Sequence, residues 1–239
     1  MTGFAYNRVV LFAVLAIAST STITPLLAEG FDQDTVGTSP RGWSCGVTGH
    51  GTAKWTVQPD ATAPSKPNVL IQSGNSAYSW CVQRDVALAD GFVESGFKPI
   101  DGREDQAGGL VWRWKDGDNY YVARANALEN NVSLYYMDRA GRHTLKYADA
   151  KVPREQWSTL RIEFTGKRIR VLLNGKSHID IEDTHINGAG SVGVWTKADS
   201  VTAFDNFSSG KIKVARERKG APQTYEESPV IKSWRESDI

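Results

Sequence analysis

The chain has 239 residues, and its 28 Lys and Arg against 27 Asp and Glu leave a formal net charge of +1. So even a balance supplies neither a basic footprint for nucleic acid nor a polybasic patch for an anionic membrane surface. Eight tryptophans and 22 glycines point instead to an aromatic, turn-rich domain.

Residues 1–28 read as an export signal: Arg8 gives a positive start, VVLFAVLAIA an apolar middle, and STSTIT leads through Pro25 to a cut after Ala28. The apolar run falls short of the roughly 20 residues that a spanning helix needs. The mature protein is therefore expected to be periplasmic or extracellular, with no membrane attachment after cleavage. About 210 residues then remain, which suits one all-β sandwich or barrel. Cys45 and Cys81 are the only cysteines, and in an oxidising compartment an even number is expected to pair. A two-cysteine metal site would need neighbouring ligands, and His50 alone does not supply them.

From Phe31 to Trp43 the chain reads as an extended segment entering a Gly/Pro-rich turn. Short strands are expected at 53–57, 68–72, 77–82 and 91–97, with DATAPSKPN as a surface loop between the first two. Three strands follow at 110–114, 120–126 and 132–137, joined by KDGDN and ALENN, which are rich in turn residues. With Trp114 opposite Tyr120, Trp112 faces Val122 and Leu110 faces Arg124. That register gathers Trp112, Trp114, Tyr120, Arg124 and Asn126 on one face, with Val111, Ala123 and Ala125 on the other.

Residues 157–165 alternate cleanly, with Leu160, Ile162 and Phe164 inward and Arg161 and Glu163 toward water. The 168–173 stretch buries Ile169, Val171 and Leu173, and Asn174-Gly175 is a strong hairpin signal. Residues 177–182 return with Ile179 and Ile181 inward, which leaves His178 and Asp180 on an ordinary solvated face. In 190–200, Val192, Val194 and Thr196 claim the buried side, turning Trp195 and Lys197 the other way, and 201–207 closes the domain. One domain is expected over 29–210, and 211–239, charged and without periodicity, reads as a disordered tail.

Taken together, NYYVARANALENNVSLY, EQWSTLRIEF, IRVLLNGK and GSVGVWTKADSVTAFDNF resemble exported bacterial proteins of the concanavalin A-like lectin/glucanase superfamily. Within it the likeness is to the 3-keto-disaccharide hydrolase family and to laminin G-like domains, over residues 31–209. The resemblance implies an all-β jelly-roll sandwich of two antiparallel sheets, one curved, with a carbohydrate or glycoconjugate bound on its concave side. Neither Glu163 nor Glu182-Asp183 reproduces the E-x-D-x-x-E strand of retaining glucanases, and no serine elbow, phosphate loop or HExxH signature is present. The expected function is a non-catalytic glycan-binding or interaction module, the alternative a glycoside-processing hydrolase of the 3-keto-disaccharide type.

Trp112, Tyr120, Arg124, Asn126, Trp195 and Lys197 are expected to share one concave, partly exposed surface. There an indole stacks on a pyranose while Arg and Asn hydrogen-bond its hydroxyls. Asp32 and Asp205, in the first and last segments, are the candidate oxygen ligands for Ca²⁺ where the chain ends pair.

Overall fold

The computed structural model describes residues 30–212. The expected export signal lies outside them, as does the expected tail beyond its first two residues. Fourteen stretches form strands: β1 (Trp43–Thr52), β2 (Trp55–Pro59), β3 (Asn68–Gln72), β4 (Asn75–Gln83), β5 (Gly91–Asp101), β6 (Ala107–Asp116), β7 (Asn119–Asn126), β8 (Asn131–Asp138), β9 (Gly141–Asp149), β10 (Ser158–Thr165), β11 (Arg168–Leu173), β12 (Lys176–Glu182), β13 (Ser191–Ala198) and β14 (Val201–Gly210). A 3₁₀ turn at Phe31–Gln33 precedes them and drops Phe31 into the core.

The strands build two seven-stranded antiparallel sheets, in the orders β1-β4-β13-β6-β7-β8-β9 and β12-β11-β10-β5-β14-β3-β2. Period-2 alternation gives each sheet one apolar face, and the two apolar faces pack together as a jelly-roll sandwich. Leu110, Trp112, Tyr121, Leu134, Val192 and Val194 of the first sheet meet Val93, Phe97, Leu160, Ile162, Phe164 and Phe204 of the second. Gly108 belongs to this contact. A side-chain carbon there would stand 2.4 Å from the ring of Phe97.

Cys45 and Cys81, register partners on β1 and β4, form the expected disulfide. Two strands were not foreseen. β1 contains WSCGVTGHGT, whose glycines hide the alternation, and Gly46 is there because the Trp80 ring lies across it, 2.6 Å from where a Cβ would be. In β9 the pattern is broken by an irregularity opposite Leu134 and Tyr135.

The β6–β7 hairpin differs from the expected register by one residue. Val111 pairs with Val122, Trp112 with Tyr121 and Gly109 with Arg124. The slip is absorbed between Trp112 and Asp116, where Arg113 takes a left-handed φ of 46°. Trp112 consequently points between the sheets, stacked 5.2 Å from Tyr121 and 6.1 Å from Phe164. Beyond the slip, Trp114 emerges on the opposite face, against Trp80.

The outer face of the second sheet is solvated. Asp180 accepts from Arg168 at 2.9 and 2.7 Å, and Glu163 accepts from Arg161 at 3.0 Å and Arg170 at 2.7 Å. Exposed pairs of this kind contribute little individually. The sandwich is held by its core, so Trp112→Ala is expected to cost about 3–5 kcal/mol in urea denaturation. A loss below about 1.5 kcal/mol would contradict its place between the sheets.

Candidate functional site

The outward face of the first sheet is a trough. β4 and β9 stand five steps apart in the sheet order, which is about 24 Å in a flat sheet at roughly 4.8 Å per step. Yet the Arg142 guanidinium of β9 lies 5.3 Å from the ring centroid of Tyr78 on β4. Tyr120 of β7 likewise reaches the Thr48 hydroxyl of β1 at 2.9 Å. Only a strongly curled sheet brings these side chains together.

Val111, Tyr120, Val122, Tyr135, Met137 and Trp195 form the buried floor. Tyr78 stacks over Trp195 at 5.7 Å with 16° between the rings. Gly109 makes room for that indole, since a Cβ there would stand 3.1 Å from it.

One end of the floor is charged. Asp105 Oδ2 accepts from Arg124 Nη1 at 2.6 Å and from Lys197 Nζ at 3.0 Å, and Arg124 Nη2 donates to Glu129 at 2.8 Å. Asp105 is fully buried and Arg124 is 3% exposed. Burial disfavours the guanidinium charge, but Asp105, Tyr135 and Glu129 outweigh it and hold the Arg124 pKa above its ordinary value. For Glu129, burial is likewise overcome by Asn131 and Arg124, so its carboxyl sits below the usual range.

The carboxylate of Asp199 positions this cluster. It accepts from the backbone N–H groups of Arg103 at 2.7 Å, Glu104 at 3.0 Å and Asp105 at 3.1 Å. Those donors prevail over burial and keep its carboxyl below the ordinary value. Gly102, at φ +141°, closes the turn, where a Cβ would meet the Asp105 carbonyl at 1.9 Å.

Beside the cluster a cavity of about 230 Å³ is lined by His50, Tyr78, Glu104 and Lys197. On the other wall stand Arg142 and Tyr147, the latter 51% exposed and edge-on to Tyr135 at 5.9 Å. Among the sealed polar atoms here, Asp105 Oδ1, Gln106 Oε1, Arg124 Nε, Asn126 Nδ2, Tyr135 Oη, Arg142 Nη1 and Trp195 Nε1 make no hydrogen bond to the described residues. Buried polar atoms are ordinarily paired.

The structure separates the six residues expected to form one surface. Trp112 is a core residue, because the slip at Arg113 reverses its direction. Tyr120, Arg124, Trp195 and Lys197 do line the trough, but Tyr120 and Trp195 are fully buried floor rather than exposed platforms. Asn126 is buried at the strand end, where its Oδ1 accepts from the N–H of Leu128 at 2.9 Å. Lys197, with 22% of its side chain exposed, reaches the rim.

Sequence reading missed Tyr78, Asp105, Glu129, Arg142 and Tyr147. Tyr78 sat in an expected strand and carried a findable signal, its alternation with Trp80. Asp105 and Glu129 lie in turns, where no periodicity operates.

Asp32 and Asp205 lie elsewhere. Asp205, buried in β14, accepts from Ser65 N and Oγ and from Asn206 N, each at 2.7 Å. Asp32 accepts from Asn68 N at 2.9 Å. Burial first, opposed by the Ser65 donors and aided by the nearby Asp32 charge, pushes the Asp205 carboxyl up. No cluster of three or more His, Cys, Asp or Glu suited to a metal occurs among the described residues.

The trough-bearing sandwich is a concanavalin A-like jelly roll. It resembles the carbohydrate-binding module CBM66 from Bacillus subtilis, with TM-score 0.58 and 20% identity over 71% of this chain and 96% of that one. Similar too are the carbohydrate recognition domain of Emp47p (TM-score 0.54, 11% identity, 78% and 95% covered) and a beta-1,3-1,4-glucanase derived from a mouse hindgut metagenome (0.51, 14%, 77% and 97%). At such identities these are likenesses of fold. Residues 37–221 match the model of the 3-keto-alpha-glucoside-1,2-lyase-like domain, and the chain belongs to that family. No curated protein matches it.

Two outcomes test this geometry. Asp105→Ala, which strands two cations around a buried gap, is expected to cost about 3–5 kcal/mol. Glu129→Gln, at a half-exposed partner, should cost no more than about 1 kcal/mol by the same urea titration. The Tyr120 phenol is pushed from its ordinary 10.0 to about 12 by burial, partly offset by the Thr48 hydrogen bond. A pKa raised on folding means stability fully present below pH 10 and lost as pH rises through about 12. Tyr120→Phe should flatten that alkaline loss in thermal melts taken between those values.

Proposed function

We propose that the protein is an exported carbohydrate-binding domain that holds a sugar at the charged end of the trough. The observation that carries this reading is the cavity lined by His50, Tyr78, Glu104 and Lys197 beside the charged cluster, with the exposed ring of Tyr147 on the other wall. A pyranose has one apolar face and a rim of hydroxyls that both donate and accept. Tyr147 and Tyr78 offer ring surface, and Lys197, Glu129 and Glu104 offer directional partners at the rim. The Cys45–Cys81 disulfide supports an oxidising compartment. No helix among the described residues is long and apolar enough to cross a membrane.

A second reading rests on the family, whose description names a lyase acting on 3-keto-α-glucosides. Elimination needs a base beside the proton that leaves and cations beside the enolate oxygen that forms. Asp105 with Arg124 and Lys197 has those ingredients. Binding is favoured because the carboxylate that would take the proton is sealed, with one oxygen already held by both cations.

One experiment separates the two readings: calorimetric binding to an oligosaccharide panel alongside incubation with 3-keto-α-glucosides. Binding without release of the aglycone is expected. Tyr147→Ala should weaken binding by about 3- to 10-fold, the equivalent of a lost ring contact. Aglycone release dependent on Asp105 would replace the binding reading with the lyase.

A further inference from the structure

Resting on that reading, we infer that the trough selects a sugar bearing an anionic substituent, a carboxylate or sulfate, and that Arg142 is the residue that receives it. The three cations at this end are not equivalent. Arg124 is neutralised by Asp105 and Glu129. Lys197 is held by Asp105, with Glu104 at 3.9 Å. Arg142 makes no ion pair with any described carboxylate, and its Nη1 is sealed without a hydrogen-bond partner.

Its surroundings are aromatic instead. The guanidinium lies 4.4 Å from the Tyr135 ring centroid and 5.3 Å from that of Tyr78. Ring faces hold a guanidinium and exclude water from its flat sides; with Nη1 sealed, the in-plane donors left for a ligand are those of Nη2 and Nε. Those donors form a fork that matches two oxygens of one oxyanion. A hydroxyl engages one of them and leaves the charge uncompensated.

The neighbouring phenol registers the same field. Hydrogen bonds from Thr144 and then Tyr135 lead the downward shift of the Tyr147 pKa, and Arg142 and Arg124 add to it against burial. Tyr147 is also the exposed ring of this wall. A sugar lying on Tyr147 with its charged substituent toward Arg142 joins the platform and the unpaired cation in one ligand.

The test uses the full chain and matched pairs of probes. These are a xylo-oligosaccharide with and without a glucuronate branch, and a galacto-oligosaccharide with and without a sulfate ester, each titrated calorimetrically at low and high NaCl. At least one anionic member should bind 10-fold or more tighter than its neutral partner, and salt should narrow the gap. Preference for glucuronate alone or sulfate alone names which oxyanion is meant. Arg142→Gln should erase the preference, and Arg142→Lys should keep part of it. A melting temperature equal to that of the parent shows that each variant is folded. Equal or tighter binding of the neutral members, or a preference that survives Arg142→Gln in folded protein, overturns the inference and leaves sugar binding standing. Failure of every probe to bind overturns both readings.

Discussion

Which face of the first sheet each ring of β6 joins depends on the register slip at Arg113. A non-glycine residue in the left-handed region costs about 1–2 kcal/mol, and this one is also a buried cation. Its guanidinium donates to the carbonyls of Ala89 at 3.0 Å, Ile186 at 3.0 Å and Gly166 at 2.6 Å, with Asp90 at 3.5 Å. Hydrogen bonds from a charged donor contribute about 1.5–3 kcal/mol each, so three of them outweigh the backbone strain. With the slip in place, one strand serves both faces of its sheet. Trp112 packs between the layers, and two residues on Trp114 meets Trp80 in the trough.

Much of the sandwich was legible in alternation. Strands with one clean apolar face, β10 through β12 above all, were found with their inward and outward residues correctly sorted. β1 and β9 were not, since glycines in the one and an irregularity in the other erase the period that reading depends on. The hairpin register was misassigned for a related reason. Trp112, Tyr121 and Trp114 are all aromatic, so parity alone does not say which side of the sheet claims which ring. The choice is made by three carbonyls on distant loops, which accept from Arg113 and belong to no local pattern.

The candidate site was half legible for the same physical reason. Side chains in strands, such as Arg124, Trp195 and Lys197, inherit their facing from their neighbours. Asp105 is aimed by the turn that Gly102 and Asp199 shape, across more than 90 positions of sequence. Arg142 and Tyr147 matter through curvature, which brings β9 over β4 and cannot be read from either strand alone. The site therefore combines a rigid, internally neutralised floor with a wall whose charge is open. Family membership and fold agree on a sugar-related jelly-roll domain.

The division of indoles between the two faces has an optical consequence. Trp43, Trp55 and Trp112 lie in the core, while Trp80, Trp114 and Trp195 border the trough. The core indoles sit in an apolar environment that a ligand does not touch, so their emission stays blue and steady. Trp195 lies beside Tyr78, a wall of the cavity, and Trp80 packs on Trp114 at 5.0 Å. On the proposed reading, a ligand in the trough changes the polarity around these indoles and not around Trp43, Trp55 and Trp112, so the two sets report separately on the site and on the core.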